Sequence, residues 1–162
     1  TKSDLLFLLF AALVVACIAW IGYSIWDDEV RSQQTKENGE HLSAWLAEKG
    51  ANRQTENAFA PCDPKTMSWA ECRNALVAPG GPFAHIKNEF EKTNLTFAPD
   101  CERTRENTLG AIIMQKGTAK PDGSGYSYAP LSDDEKLEAA IPMRLSICAR
   151  AFSVVHIAEF IF

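Results

Sequence analysis

Apolar and polar residues follow two different patterns along the chain. From Leu5 to Trp26 no residue is charged, and apolar side chains would surround a helix rather than form one stripe. These roughly 22 residues make about 33 Å of helix, and the hydrocarbon core of a bilayer is about 30 Å thick. The pattern predicts a transmembrane helix over residues 1–26, in contact with lipid, with aromatic side chains at its far end near the headgroups.

A buried core helix and a secretory signal peptide are the alternatives to a membrane span. A small domain has too little chain to surround a core helix on every side. The apolar run also exceeds the roughly 7–15 residues of a signal peptide, and it is followed by three acids at 27–29 instead of a small-residue cleavage motif. We therefore expect the segment to remain in the mature protein.

Helical spacing continues beyond the apolar run. Leu42, Trp45 and Leu46 recur as positions on one helix face, which predicts a single helix over residues 3–49, with 27–50 as its polar extension. Gly22 and Gly39 are the places where such a helix can bend. Gly50 is expected to end the helix as its left-handed cap.

Residues 51–162 mix turn-rich stretches with short regular elements. The capping-box spacing of Ser68 and Glu71 predicts a short helix through residue 77, and the acids at 132–135 predict a helical turn. Strands are predicted at 109–115, 143–150 and 152–162, with Cys148 on the outward side of its strand. The fold class is α+β: a long N-terminal helix, then a small domain with one short helix and an antiparallel sheet of three or four strands.

The cysteines point to an oxidising compartment. Cys17 lies in the apolar run, which leaves an even set in the remaining domain, namely Cys62, Cys72, Cys101 and Cys148. Four cysteines allow three disulfide connectivities. We expect Cys62 to pair with Cys72, since they are close in sequence. Cys101 and Cys148 would then form a second disulfide that closes a long loop. A zinc site is the alternative, but neither CxxC nor closely spaced histidines occur.

Charge and motifs limit the possible chemistry. A net charge of −5 argues against a nucleic-acid binder, which needs basic side chains to displace counterions from phosphates. The run Gly123-Ser124-Gly125 lacks the strand and helix that flank a nucleophilic serine, and Asp133 and Asp134 have the spacing of helix-capping acids. We therefore expect a non-enzymatic protein without cofactor or metal.

The order of these elements resembles that of the type IV pilin and pseudopilin superfamily. In both, an apolar helix continues beyond the membrane and is followed by a loop and an antiparallel sheet near a disulfide. The resemblance implies a subunit that is held in the inner membrane by its helix and later packs through that helix into a filament. The chain departs from the family pattern at Thr1, where pilins commonly have phenylalanine, and over 31–40, a polar stretch that lacks the apolar face a pilin helix lays on its sheet.

The same resemblance implies which residues act in assembly. Pilins carry an acid near the N-terminus that pairs with a neighbour's amine, and Asp4 would take this role although Leu5 stands at the usual position. The expected contact residues in the span are Asp4, Leu5, Leu9, Leu13 and Cys17. The partners would be copies of the chain or other membrane subunits.

Two other functions fit the same pattern. One is a single-pass accessory subunit of an inner-membrane complex that docks through a periplasmic domain. The other is a membrane-tethered periplasmic enzyme. In all three the N-terminus is cytoplasmic and the C-terminal domain is periplasmic, or extracellular in a filament. A filament subunit is expected to lose a leader peptide before Thr1, whereas an accessory subunit is expected to lose only its methionine.

Overall fold

A long helix dominates the computed structural model, which describes residues 2–52, 59–63, 65–137 and 140–162. This helix, α1 (Lys2–Ala51), is continuous, as the sequence predicts. Gly50 lies inside α1 and does not have a left-handed backbone, so its predicted capping role is wrong. A Cβ atom at Gly50 would lie 2.7 Å from the carbonyl oxygen of Ile161, so close packing explains the glycine.

The domain after α1 contains one short helix and a five-stranded sheet, which confirms the α+β prediction. Its elements are α2 (Trp69–Val77), β1 (Phe97–Ala98), β2 (Ile112–Ala119), β3 (Tyr126–Pro130), β4 (Pro142–Ala149) and β5 (Ser153–Ile161). The strand order is β1-β2-β4-β5, and β3 pairs with the second half of β2. The β1–β2 pair is parallel and the other pairs are antiparallel.

The predicted strand at 109–115 is displaced toward the C-terminus. Gly110 has a φ of +77°, which breaks an extended conformation, and β2 begins only at Ile112. The chain around Gly110 still joins the sheet, because its N–H donates to the carbonyl of Cys148 at 2.7 Å. The strand β3 was not predicted.

The acids at 132–135 form a turn that caps α2, and not the helical turn predicted for them. The backbone N–H groups of Trp69 and Ala70 donate to the carbonyls of Glu135 and Asp133, at 2.8 and 2.9 Å. These are N–H groups of the first turn of α2, which have no partner within the helix. Ser68 completes the cap, since its hydroxyl accepts from the N–H of Glu71.

The hydrophobic core lies between one face of the sheet and the helices. The second half of α1 contributes Leu42 and Leu46, and α2 contributes Trp69 and Leu76. The sheet faces them with Ile112, Met114, Met143, Leu145, Ile147 and Ala149. The helix is therefore fixed to the domain by its second half alone, because the residues before Asp27 make no buried contact in the described chain.

Candidate functional site

The first half of α1 is a free apolar surface. Its large side chains are exposed on every side of the helix, and no residue of its most apolar 18-residue window is buried. The segment is long and apolar enough to cross a membrane, a test that a signal sequence also passes. We call Leu5–Trp26 the apolar segment.

The residues predicted to act in assembly all lie on this helix. Asp4 is in the first turn. Leu5, Leu9 and Leu13 follow at four-residue intervals, are 61–63% exposed, and share one side of the helix. Cys17, also exposed, is the next position in this series and is the free cysteine of the chain. Leu5, Leu9, Leu13 and Cys17 therefore share one side of the helix, with Asp4 beside them in the first turn.

Exposure along α1 falls within one turn of the last aromatic residue. Trp26 is exposed, with its ring 6.1 Å from that of Tyr23, whereas Asp27 and Asp28 are already half-buried. Asp27 also forms an ion pair with Arg31 at 2.5 Å. The apolar segment and the folded domain are therefore joined without a linker.

Small residues allow the second half of α1 to pack on the sheet. The buried positions there are Thr35, Gly39, Leu42, Ser43 and Leu46, which form one stripe at helical spacing. A Cβ atom at Gly39 would lie 3.1 Å from Ile147 and 3.2 Å from Ile157, so the helix and sheet approach closely at this point. The stretch 31–40 therefore packs on the sheet without an apolar face, through the small residues Thr35 and Gly39.

Two disulfides hold the domain, with the predicted pairing. Cys62 is bonded to Cys72 across the loop before α2, with 4.8 Å between their Cα atoms. Cys101 is bonded to Cys148, with a Cα separation of 5.2 Å and a sequence separation of 47. Cys148 lies on the outward face of β4 as predicted, yet it is fully buried, because the bond holds the loop around Cys101 over it.

Neither the disulfide pairing nor the apolar segment assigns the chain to a family. No protein-family model, curated protein or solved structure matches this chain. The similarity to pilins therefore stays a prediction.

An aromatic and charged cluster covers the outer face of the sheet, which sequence reasoning missed. Arg144 donates to the carboxylate of Glu159 at 2.6 and 2.8 Å, and its guanidinium lies over the ring of Tyr128. These hydrogen bonds hold the pKa of Glu159 below its usual range. The pKa of Tyr128 is raised, first by partial burial and then by its hydrogen bond to Glu159. The signal was in the two-residue spacing of Tyr126 and Tyr128, which puts both on one face.

An open groove of about 600 Å³ lies between α1 and the turn after α2. Trp45 and Phe83 form its apolar floor, with their rings edge to face at 5.7 Å. Its rim carries Glu40, His41, Glu48 and His85. Within the described ranges no three histidine, cysteine or acidic side chains come close enough to hold a metal ion. The groove is therefore an acidic, partly apolar surface rather than a metal site.

The candidate nucleophile and the candidate acid pair are both engaged in structural contacts. The N–H of Ser124 donates to the Asp122 carboxylate at 2.9 Å, in a tight turn whose two flanking glycines have positive φ. Asp133 accepts two hydrogen bonds from Arg73, at 2.6 and 2.9 Å. Asp134 accepts from the hydroxyl of Ser132. Asp133 and Asp134 are thus bound by side chains of the domain, and Ser124 is held in its turn through its backbone N–H.

Proposed function

We propose that this chain is a membrane-anchored, non-enzymatic assembly subunit that packs through α1 into a pilin-like filament. The observation that carries the proposal is the division of α1 into two halves. The second half is tied to the sheet through Gly39 and Leu42, while no residue of Leu5–Trp26 is buried against the described part of the domain. An apolar surface of this size on a soluble monomer would lead to aggregation, so it needs lipid or other helices around it.

Lipid is the first environment of the apolar segment. A lysine near the centre of a membrane helix costs about 2.5–3.5 kcal/mol for insertion. Leu13→Lys combined with Ile18→Lys should therefore move the protein from the membrane fraction to the soluble or aggregated fraction. The matched control is Gln33→Lys with Gln34→Lys, two exposed positions of the same helix outside the segment. Equal membrane content in both variants would refute the anchor.

The domain is assigned to the side of the membrane away from the cytoplasm. Two disulfides form and persist in an oxidising compartment. Labelling tests this orientation. Ser124→Cys, in an exposed turn of the domain, should react with a membrane-impermeant maleimide in intact spheroplasts, and Lys2→Cys only after permeabilisation. The opposite labelling order would reverse the topology.

Disulfide crosslinking at the native Cys17 tests assembly through the apolar segment. If copies pack along Leu5, Leu9 and Leu13, the next residue in that series should crosslink between copies under mild oxidation in membranes. Cys17→Ala is the control for specificity. Asp4→Ala should lower the dimer yield if its charge pairs with a neighbour, and Asp4→Asn separates charge from size. If the unaltered protein gave no more crosslinked dimer than Cys17→Ala, packing between copies along this side of the helix would be contradicted.

A single-pass accessory subunit is the second candidate, and the acidic groove favours it. Glu40 and Glu48 stand on the rim above Trp45, a combination that suits a basic segment of a membrane partner. In this case Cys17 should crosslink to another membrane protein rather than to a copy. Glu40→Lys with Glu48→Lys should abolish this crosslink to the partner. A filament subunit, in contrast, should be recovered in the material sheared from the cell surface.

A further inference from the structure

The direction of β5 relative to α1 determines which end of the domain faces the apolar segment. Gly39 lies against Ile157, and Gly50 lies against Ile161 and Phe162. Eleven residues along the helix therefore correspond to about five along the strand, so the two elements run parallel and in the same direction. The start of β5 is its end nearest to the apolar segment.

The turn before β5 lies at the height of the segment boundary. Phe152 precedes Ile157 by five residues, or about 16 Å of strand, which equals about 11 residues of helix. Counted back from Gly39, this places Phe152 level with the region around Asp28. The contacts agree, since the turn Arg150–Phe152 lies against α1, and none of the described α1 residues from 2 to 26 is buried.

This end of the domain has side chains suited to a headgroup layer. The 3₁₀ turn Arg150–Phe152 contains two residues with left-handed backbones, Ala151 and Phe152, with φ of 58° and 55°. Arg150 and Ala151 are exposed. The guanidinium of Arg103, exposed on the neighbouring loop, lies 5.3 Å from the centre of the Phe152 ring.

The arginines of this end are free to take an external anion. Among the ion pairs of the described residues, Arg103 and Arg150 have no carboxylate partner, while Arg105 occupies Asp100 and Glu102 at 3.2 and 3.8 Å. Guanidinium groups bind phosphate with two parallel hydrogen bonds. An aromatic ring beside them is the side chain that prefers the boundary between water and hydrocarbon.

We propose that Arg103 and the turn Arg150–Phe152, here the proximal patch, form a lipid-contact surface that binds headgroup phosphates and fixes the domain against the membrane. The inference rests on the proposed membrane span of α1. It adds a second contact between the protein and the bilayer, at the domain itself. Phosphate is the recognised group, so both zwitterionic and anionic phospholipids serve as partners.

Depth measurements on the full chain in phosphatidylcholine–phosphatidylglycerol nanodiscs test the patch. In a Cys17→Ala background, nitroxide labels are placed singly at Leu9→Cys, Ala151→Cys and Ser124→Cys. The label at position 9 should collide with oxygen and not with an aqueous nickel complex. The label at position 151 should collide with the nickel complex about threefold less often than the label at position 124, because the headgroup layer excludes the complex.

A charge-reversed variant tests the phosphate contact. Arg103→Glu with Arg150→Glu should raise the nickel collision rate of the label at 151 to that of the label at 124. Lys120→Glu with Lys65→Glu, a reversal of equal size away from the patch, should leave it unchanged.

Each outcome decides a different claim. If the label at position 9 is accessible to the nickel complex, the membrane span fails and the patch with it. If position 9 is in hydrocarbon but position 151 is as accessible as position 124, the patch alone is overturned. If the nickel collision rate at position 151 is low but does not change in Arg103→Glu with Arg150→Glu, phosphate binding is overturned.

Discussion

The guanidinium carbon of Arg144 lies 3.8 Å from the centre of the Tyr128 ring, although β2 separates the strands that carry the two residues. The contact depends on Gly117 in β2, which is paired with Tyr128. A Cβ atom at Gly117 would lie 3.1 Å from the Tyr128 ring. The absence of a side chain therefore lets the tyrosine cross β2 and reach the arginine.

This contact should contribute measurably to stability. A double-mutant cycle with Arg144→Ala and Tyr128→Leu is expected to give a coupling energy of about 0.5–1 kcal/mol, typical of a partly exposed cation–π pair. Urea unfolding of the protein in detergent, followed by near-ultraviolet circular dichroism, provides the four stabilities. Arg144→Lys should lose part of the coupling, since an ammonium group does not stack on a ring as a planar guanidinium does. If the effects of the two substitutions on stability were additive, the Tyr128 ring and the Arg144 guanidinium would not interact energetically.

Gly50 should tolerate no side chain. An added Cβ would meet the backbone at Ile161 and Phe162, at 2.7 and 2.9 Å, and backbone atoms cannot move aside as a flexible side chain can. We expect Gly50→Ala to destabilise the domain by about 1–3 kcal/mol through overpacking, despite the better helix propensity of alanine. Gly22→Ala is the matched control, because nothing lies within 4 Å of a Cβ there. Thermal unfolding of the two variants should differ in this order, and a stabilised Gly50→Ala would disprove the close approach.

The two disulfides should differ in their contributions. In the chain-entropy model, the bond between Cys101 and Cys148, with a sequence separation of 47, stabilises by about 4 kcal/mol, and that between Cys62 and Cys72, with a separation of 10, by about 3 kcal/mol. Paired replacement by alanine, one bond at a time, should therefore cost more for the longer loop. Denaturant midpoints under non-reducing conditions measure the difference. A larger loss from the shorter loop would mean that local strain or residual structure outweighs loop entropy.

The cap of α2 should make stability depend on acid. The N–H and hydroxyl of Ser68 donate to the Glu71 carboxylate, at 2.8 and 3.1 Å, and these bonds lower the pKa of Glu71. A lowered folded pKa means that the stabilisation is complete above the ordinary glutamate pKa of about 4.3 and is lost as the pH falls through the lowered value. Glu71→Gln keeps a capping-box residue but removes the titration. The advantage of the unaltered protein over Glu71→Gln should shrink in urea titrations as the pH falls below about 4.3 and through the lowered pKa, and a constant difference would argue against the linkage.

Sequence reasoning worked where one strong physical signal was sufficient. The apolar segment is identified by its composition alone, and the long helix follows from it. The pairing of Cys62 with Cys72 follows from their proximity in sequence, and the second bond then follows by elimination. β4 and β5 were found within one residue of their ends, because alternation over eight or nine residues is a clear strand signal.

The features that were missed depend on contacts between distant residues. The face of α1 at Thr35 and Gly39 is buried because small groups fit against Ile147, and no hydropathy pattern marks such a site. Strand β3 has no buried residue, so only the two-residue spacing of its tyrosines marks it as a strand. Asn88, 1% exposed, donates to Thr96 and Leu109 and organises the loop before the sheet, a role that its sequence neighbours do not announce.

The uninterrupted course of α1 makes the helix a lever. From Trp26 to Gly50 it extends about 36 Å, so an average tilt of about 20° in a bilayer would displace the far end of the domain sideways by about 12 Å. Rotation of the helix about its axis would likewise turn the groove and the outer sheet face toward different neighbours. The orientation of every surface on this domain is thus decided by how its anchor sits among lipids or among other helices.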